Sequence, residues 1–328
     1  MNQKNIKIPD LELEKLDSIA VMGNKSIEAC FALGVELFIT PKNEDGNISM
    51  YQDFLICIEK YYLNFKDQLN TYVLPNATRI SKIKGDPVPR WHSALEKISP
   101  HYGYGMNVYY DNRKYEGDPV DATPWQISCL GEKFESQELS AINASMSVCN
   151  THGENNFETL FAMTLQWCER LKPSHGSAGF CFAYAPNSEP LAKWTWPLLQ
   201  RHPGVDHQDT VIFSLSCKNV HNRIKGVNWL TILGDDIVAE LGGIGVIHAK
   251  LGEKCRVHSY EGGVIIIAGP IPQLGDTYEN FIPERYKSVA RLTKPIRFEN
   301  YRRPFLKLPK PIDAVEASIK WIKRFDEA

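Results

Sequence analysis

No apolar run in the 328-residue sequence approaches the ~18 residues a membrane span requires, so no segment is expected to cross a bilayer. The leader MNQKNIKIPDLELEKLDS is polar and has no apolar signal core, which predicts no export. Paired cysteines are missing too. Cys30, Cys57, Cys129, Cys149, Cys168, Cys181, Cys217 and Cys255 stand singly, mostly inside apolar runs, with no CxxC among them. Such usage predicts buried free thiols in a reducing compartment, hence action in the cytoplasm. An excess of one charge is lacking as well, because 37 basic residues meet 39 acidic ones for a net charge of −2. A whole-chain cationic nucleic-acid binder does not fit that balance, and no direct nucleic-acid binding is expected.

What is present is the composition of a soluble globular protein, 43% hydrophobic and 23% charged. The length suits one large domain or two ordinary ones. Residues 27–40 (IEACFALGVELFIT), apolar and branched up to Pro41, read as a buried strand. From Tyr51 to Asn70 the residues Tyr51, Phe54, Leu55, Ile58, Tyr61, Tyr62, Phe65 and Leu69 follow the three-and-four spacing of one helix face. A short helix over 90–98 and a strand over 102–111 follow. The Gly-, Asp- and Pro-rich stretch 111–124 is the candidate boundary between two similar lobes. Beyond it, strands are expected over 138–149, 176–185 and 210–217, and helices over 156–171, 189–200 and 228–241. KCRVHSY and GGVIIIAG form a hairpin through Glu261-Gly262. A closing helix over 312–326 would dock Val315, Ile319, Ile322 and Phe325 on the body. The alternation predicts a mixed α/β or α+β fold, a sheet-based body covered by amphipathic helices.

The familiar catalytic constellations fail one by one. The phosphate cradle GxxxxGK[ST] is absent, and Gly243-Ile-Gly245-Val-Ile-His248 lacks the third glycine of a dinucleotide fingerprint and follows a helix. His175-Gly-Ser177-Ala-Gly179 has His where a serine elbow needs Gly, and close packing of small residues explains it. His202, Asp206 and His207 gather two imidazoles and a carboxylate, donors that zinc accepts, but Pro-Gly after a helix reads as a stop and a turn, so no metal site is assigned and these three stand only as the alternative. No cysteine precedes a helix N-terminus, where its pKa would fall. No catalytic or cofactor residue is assigned, and a metal- or thiol-dependent cytoplasmic enzyme stands as the alternative reading. Trp194 and Trp196 are candidate interface anchors, and their spacing sends at least one ring into the core. Residues 285–310 hold nine basic residues against one acid, a local +8 that leaves −10 on the rest of the chain.

Three strings carry a resemblance: RIKGVNWLTILGDDIVAELGG (223–243), GGVIIIAGPIPQLGD (262–276) and ERYKSVARLTKPIR (284–297), led in by HPGVD (202–206). In this order they resemble the bacterial type VI secretion immunity family associated with VRR-NUC nuclease effectors. The resemblance is strong from Tyr184 to Arg297 and looser from Ile27 to Cys181. It implies one immunity-type domain over 1–328 with a family-like core at 27–300. It further implies an antidote that binds a cognate type VI effector toxin by direct protein–protein contact, with no enzyme activity, no cofactor and no membrane partner. The motif residues themselves have structural readings: Gly226 permits a turn, Asn228 caps the following helix, and Trp229 and Leu233 pack. They mark the fold rather than the toxin site. For a nuclease toxin with a positive cleft, charge sign alone makes Glu44-Asp45 and Asp235-Asp236 the candidate contacts, and Trp194 and Trp196 are candidates as interface aromatics.

Overall fold

A short helix, α1 (Leu13–Asp17), and a three-residue strand, β1 (Ala20–Met22), lead into β2 (Ile27–Ile39), the long apolar strand expected from the sequence. Nearly all of β2 is buried, the fate of an apolar strand with neighbours on both edges and cover on both faces. The chain is described here by a computed structural model that defines residues 13–41, 44–113, 115 and 117–326. Helix α2 (Glu44–Phe65) begins before the expected Tyr51, and its apolar stripe buries Tyr51, Phe54, Ile58 and Tyr61. Short strands β3 (Thr71–Val73) and β4 (Ile80–Lys82) and helix α3 (Val88–Leu95) precede a meander of β5 (Tyr104–Tyr109), β6 (Gln126–Gly131) and β7 (Ser140–Met146). The long amphipathic α4 (Phe157–Leu171) then returns the chain to β8 (His175–Tyr184), which is buried throughout.

Between 185 and 254 the structure departs from two expectations. After α5 (Ala192–Arg201) and a two-residue strand, β9 (Asp206–His207), the segment 210–217 is a helix, α6 (Thr210–Ser216), and not a strand. Its branched residues suggested a strand, but the Asp209 carboxylate accepts from the Ile212 amide and caps the first turn. The expected helix over 228–241 is instead a central strand, β10 (Leu230–Gly234), followed by the short α7 (Asp235–Glu240). A continuous apolar run such as WLTIL has no period with which to tell the two apart. Asn228 therefore caps no helix: its side chain donates to the Phe180 carbonyl and accepts from the Trp229 amide. Gly243 opens a further helix, α8 (Ile244–Leu251), which the sequence reading omitted. The hairpin of β11 (Arg256–Tyr260) and β12 (Gly263–Ile267) forms as expected. Helices α9 (Glu284–Thr293) and α10 (Ala314–Ile322) close the chain, the second burying Trp321 and Ile322.

The described residues form a 12-stranded sheet in the order β11-β12-β10-β8-β2-β7-β6-β5-β3-β4, with β1 beside β2 and β9 beside β8. Every named pair is antiparallel except β8 with β9, so the fold is α+β. Loop 111–124 joins β5 to β6, which pair with each other, and the sheet runs on without a break there. The loop folds back: the Ala122 amide donates to the Ile27 carbonyl, and the Asp121 carboxylate accepts from the Ile27 amide.

One face of the sheet packs on α2 and α4. Register decides the character of the other. Asn107, Ser128, Asn143, Glu36, Ser177 and Thr231 are successive cross-strand partners from β5 to β10, so one row of polar side chains crosses the sheet. Over β2, β8 and β10 this face is covered by α6, by the 217–229 segment and by the chain after Arg297. Over β5 and β6 it is left open, with Asn107, Ser128 and the adjoining Asn143 of β7 half-buried.

Candidate interaction surfaces around a buried ion cluster

Where the row passes under cover, its carboxylate needs a counter-ion. Glu36, 0% exposed at the middle of β2, accepts from the Lys225 ammonium at 2.5 Å. The same ammonium donates to Asp206 Oδ2 at 2.9 Å and to the His207 carbonyl at 3.0 Å. Ser177 donates to Asp206 at 3.3 Å, and the Arg324 guanidinium lies 3.9 Å from its other oxygen. Two carboxylates thus face two cations in the interior, each anion held by a partner distant in sequence. Burial raises the Glu36 pKa to about 7 against the pull of Lys225. Burial opposes the Lys225 charge, but Asp206 and Glu36 outweigh it and raise its pKa.

This cluster absorbs part of the alternative metal set. Asp206 belongs to Lys225. His207 turns to Tyr184, whose hydroxyl lies 2.7 Å from Nδ1, and burial drives its pKa down to about 3. His202 Nδ1 sits 2.8 Å from the Gly275 carbonyl. The three donors do not converge, and among the described residues no group of three or more His, Cys, Asp or Glu could hold a metal. All eight thiols are free and buried, and burial raises their pKa, Cys30 to about 12 and Cys149 to about 11. The Gly176–Gly179 stretch of β8 lies flat in the sheet, where a Cβ on Gly179 would fall 2.2 Å from Asn228 Oδ1. Close packing, not a serine elbow, requires the small residue.

The surface candidates separate. Asp235 and Asp236 are exposed at the start of α7 and form no ion pair among the described residues. They border a hollow of about 430 Å³ whose other walls include Pro41, Lys172 and His221. Asp45 is exposed in the first turn of α2, while the Glu44 side chain lies outside the described residues. Trp196 packs against the core; Trp194 is half-buried under the Lys193 ammonium, 4.6 Å from its ring. The sequence reading missed an aromatic prominence beside this helix. Tyr278 is 76% exposed, with Arg201 4.9 Å over its ring and paired to Asp276 at 2.8 Å, and exposed Phe281 lies next to it. Its only sequence signal was the Gly275-Asp276 turn.

The open half of the sheet face carries a groove of about 200 Å³ over Asn107, Ser128 and Asn143, walled by the 185–190 loop and the start of α6. At the other end of α6 lies a hollow of about 510 Å³. Misread as a strand, α6 was not considered as a surface element, although Val211 and Leu215 stand exposed along it at helical spacing.

Comparison with known proteins agrees with this architecture. The sequence model of the TsiV family, described as type VI immunity for VRR-NUC, matches residues 54–325. No curated protein matches the chain. Among solved structures, the Pseudomonas aeruginosa T6SS protein PA0821 superposes with a TM-score of 0.77 over 96% of this chain and 89% of its own, at 20% identity. At that identity the likeness shows a shared fold. With most of its length matched by the family model, the chain belongs to the TsiV family of type VI immunity proteins for VRR-NUC.

Proposed function

We propose that this chain binds a cognate type VI effector carrying a VRR-NUC nuclease and neutralises it by direct protein–protein contact in the cytoplasm, acting as one domain and without catalysing a reaction. The family match over residues 54–325 carries the reading. The interior is consistent with it: the ionisable groups gathered there are consumed by one another, and the thiols are held protonated by burial. Among the described residues no helix is long and apolar enough to cross a membrane.

Asp235 and Asp236 suit a nuclease cleft, which must be positive to hold a phosphate backbone. Asp45 adds to the acidic set, and Trp194 with Tyr278 supplies rigid aromatic area of the kind enriched at binding hot spots. A stable complex would bury about 1,200–2,000 Å² in total. The test is co-expression with the effector encoded beside this gene, read by co-purification and by growth of the producing cells. A complex and rescue are expected; a toxin that neither co-purifies nor loses its toxicity refutes the reading.

A further inference from the structure

Four of the nine basic residues of segment 285–310 are held in ion pairs within the chain. Arg297 is pinned between Glu299 and Asp326, each at 2.6 Å, and Lys307 pairs with Glu189 and lies 3.7 Å from Asp209. Lys294 reaches Asp326 at 3.8 Å and Lys287 reaches Glu284 at 3.3 Å. Arg291, Arg302, Arg303 and Lys310 are exposed and have no ion pair among the described residues, and of these Arg302 and Arg303 border the hollow at the C-terminal end of α6. Lys218 borders it too, held only at 4.0 Å from Glu138. The lining between these cations is mixed: Leu215 is 43% exposed, Val220 37%, and Phe298 and Ile212 lie deeper, while Ser216, Asn219, Asn300 and the Glu138 carboxylate that faces Lys218 supply polar walls.

Both walls are fixed before anything binds. On one side Asn219, in the left-handed region at φ 64°, donates its amide to the Gln137 carbonyl at 2.8 Å, and His221 Nε2 meets the same oxygen at 2.8 Å. On the other, the Phe298 amide donates to Ile224 at 2.9 Å, and the Phe298 ring stands edge-on to Tyr301 at 4.8 Å. A site whose walls are already ordered loses little entropy on binding. Exposed Leu215 and Val220 beside two guanidinium groups with no ion pair among the described residues match apolar side chains carried next to carboxylates, since Arg pairs with planar carboxylates in bidentate fashion. Nucleic acid fits less well: the cations are few, and Phe298 is too covered to serve as a stacking platform.

We propose that this hollow receives an acidic, apolar-anchored segment of the effector, a contact that rests on the effector-binding reading above and supplements the acidic surface. The same molecule would then use two patches of opposite sign, Asp235-Asp236 on one and Arg302-Arg303 on the other, which fixes the orientation of its partner.

The full chain is titrated with its co-encoded effector and, separately, with a labelled peptide of alternating Glu and Leu, a single-stranded oligonucleotide and phosphatidylglycerol vesicles. Wild type is compared with the double variant Arg302→Glu/Arg303→Glu and with Leu215→Asp, each checked for unchanged thermal unfolding. The expected result is salt-sensitive peptide binding that the charge reversal weakens about tenfold or more, with a parallel loss for the effector, and a smaller loss from Leu215→Asp. An effector that never binds wild type refutes the functional reading. One that binds wild type and the charge-reversed variant equally overturns this inference alone, as does binding of the oligonucleotide or vesicles in place of the peptide.

Discussion

One polar row on one sheet face meets two fates. In the β5–β7 half, Asn107, Ser128 and Asn143 face a groove at the surface, while in the β2–β10 half Glu36, Ser177 and Thr231 lie under 5% of exposure or close to it. The neutral amides and hydroxyls of the open half are satisfied locally, with Ser128 donating to Asn143 and Asn107 to Asn187. The charged member of the row occurs only where a lysine has been brought over it. An antiparallel sheet tolerates an open polar face, whereas a covered one must neutralise whatever charge it encloses. The covered half is thus a scaffold that anchors the chain after Arg297, and the open half leaves its neutral polar side chains at the surface.

The contrast breaks most severely at Lys225. Lys225→Met leaves Glu36 and Asp206 buried without their ammonium, and the expected loss is about 3–5 kcal/mol in denaturant unfolding. Effector affinity of the fraction that remains folded should change far less.

Acid comes next. Burial depresses His175 and His207 to about 3 from their ordinary 6.5, so they stay neutral in the folded chain while the unfolded chain protonates them. The stability this gives is complete above pH 6.5 and is lost as pH falls toward 3, at up to about 1.4 kcal/mol per pH unit for each histidine. Glu36 has the opposite sign. Its folded pKa is raised from 4.5 to about 7, so it favours the folded state at low pH and loses that contribution as pH rises through this window. Thermal unfolding should therefore show a shallow slope between pH 6.5 and 4.5 and a steeper one below. His207→Gln should flatten both.

Gly179→Ala forces a methyl to within 2.2 Å of Asn228 Oδ1, and about 1–3 kcal/mol of destabilisation is expected from urea titration. At the small end, Asn107→Ala in the open half should shift stability by no more than about 0.5 kcal/mol. A loss there as large as that at Gly179 would erase the distinction between scaffold and open face.

The long periodic elements were legible because their own side chains specify them: β2, α2 and α4 appear where the apolar spacing put them. Segments 210–217 and 228–241 were misassigned because a short apolar run gives no period, and the deciding features are an Asp209 cap and pairing with strands far along the chain. The ion cluster was invisible for a related reason. Glu36 and Lys225 are 189 residues apart, and only sheet register brings them together. Asp206 was noticed only as part of a turn or, alternatively, as a metal ligand, because His202 and His207 stand near it in sequence. The surplus of positive charge in 285–310 was legible, whereas which of its cations are neutralised depends on Asp326 and Glu189, both distant in sequence from the cations they pair with.

The most direct measurement is a calorimetric titration of the purified chain against the VRR-NUC nuclease domain of a type VI effector from the same genome, followed by a DNA-cleavage assay on the same mixture. The account predicts a saturable complex and cleavage that falls in step with its formation. No heat of binding, with cleavage undiminished at excess chain, would contradict it.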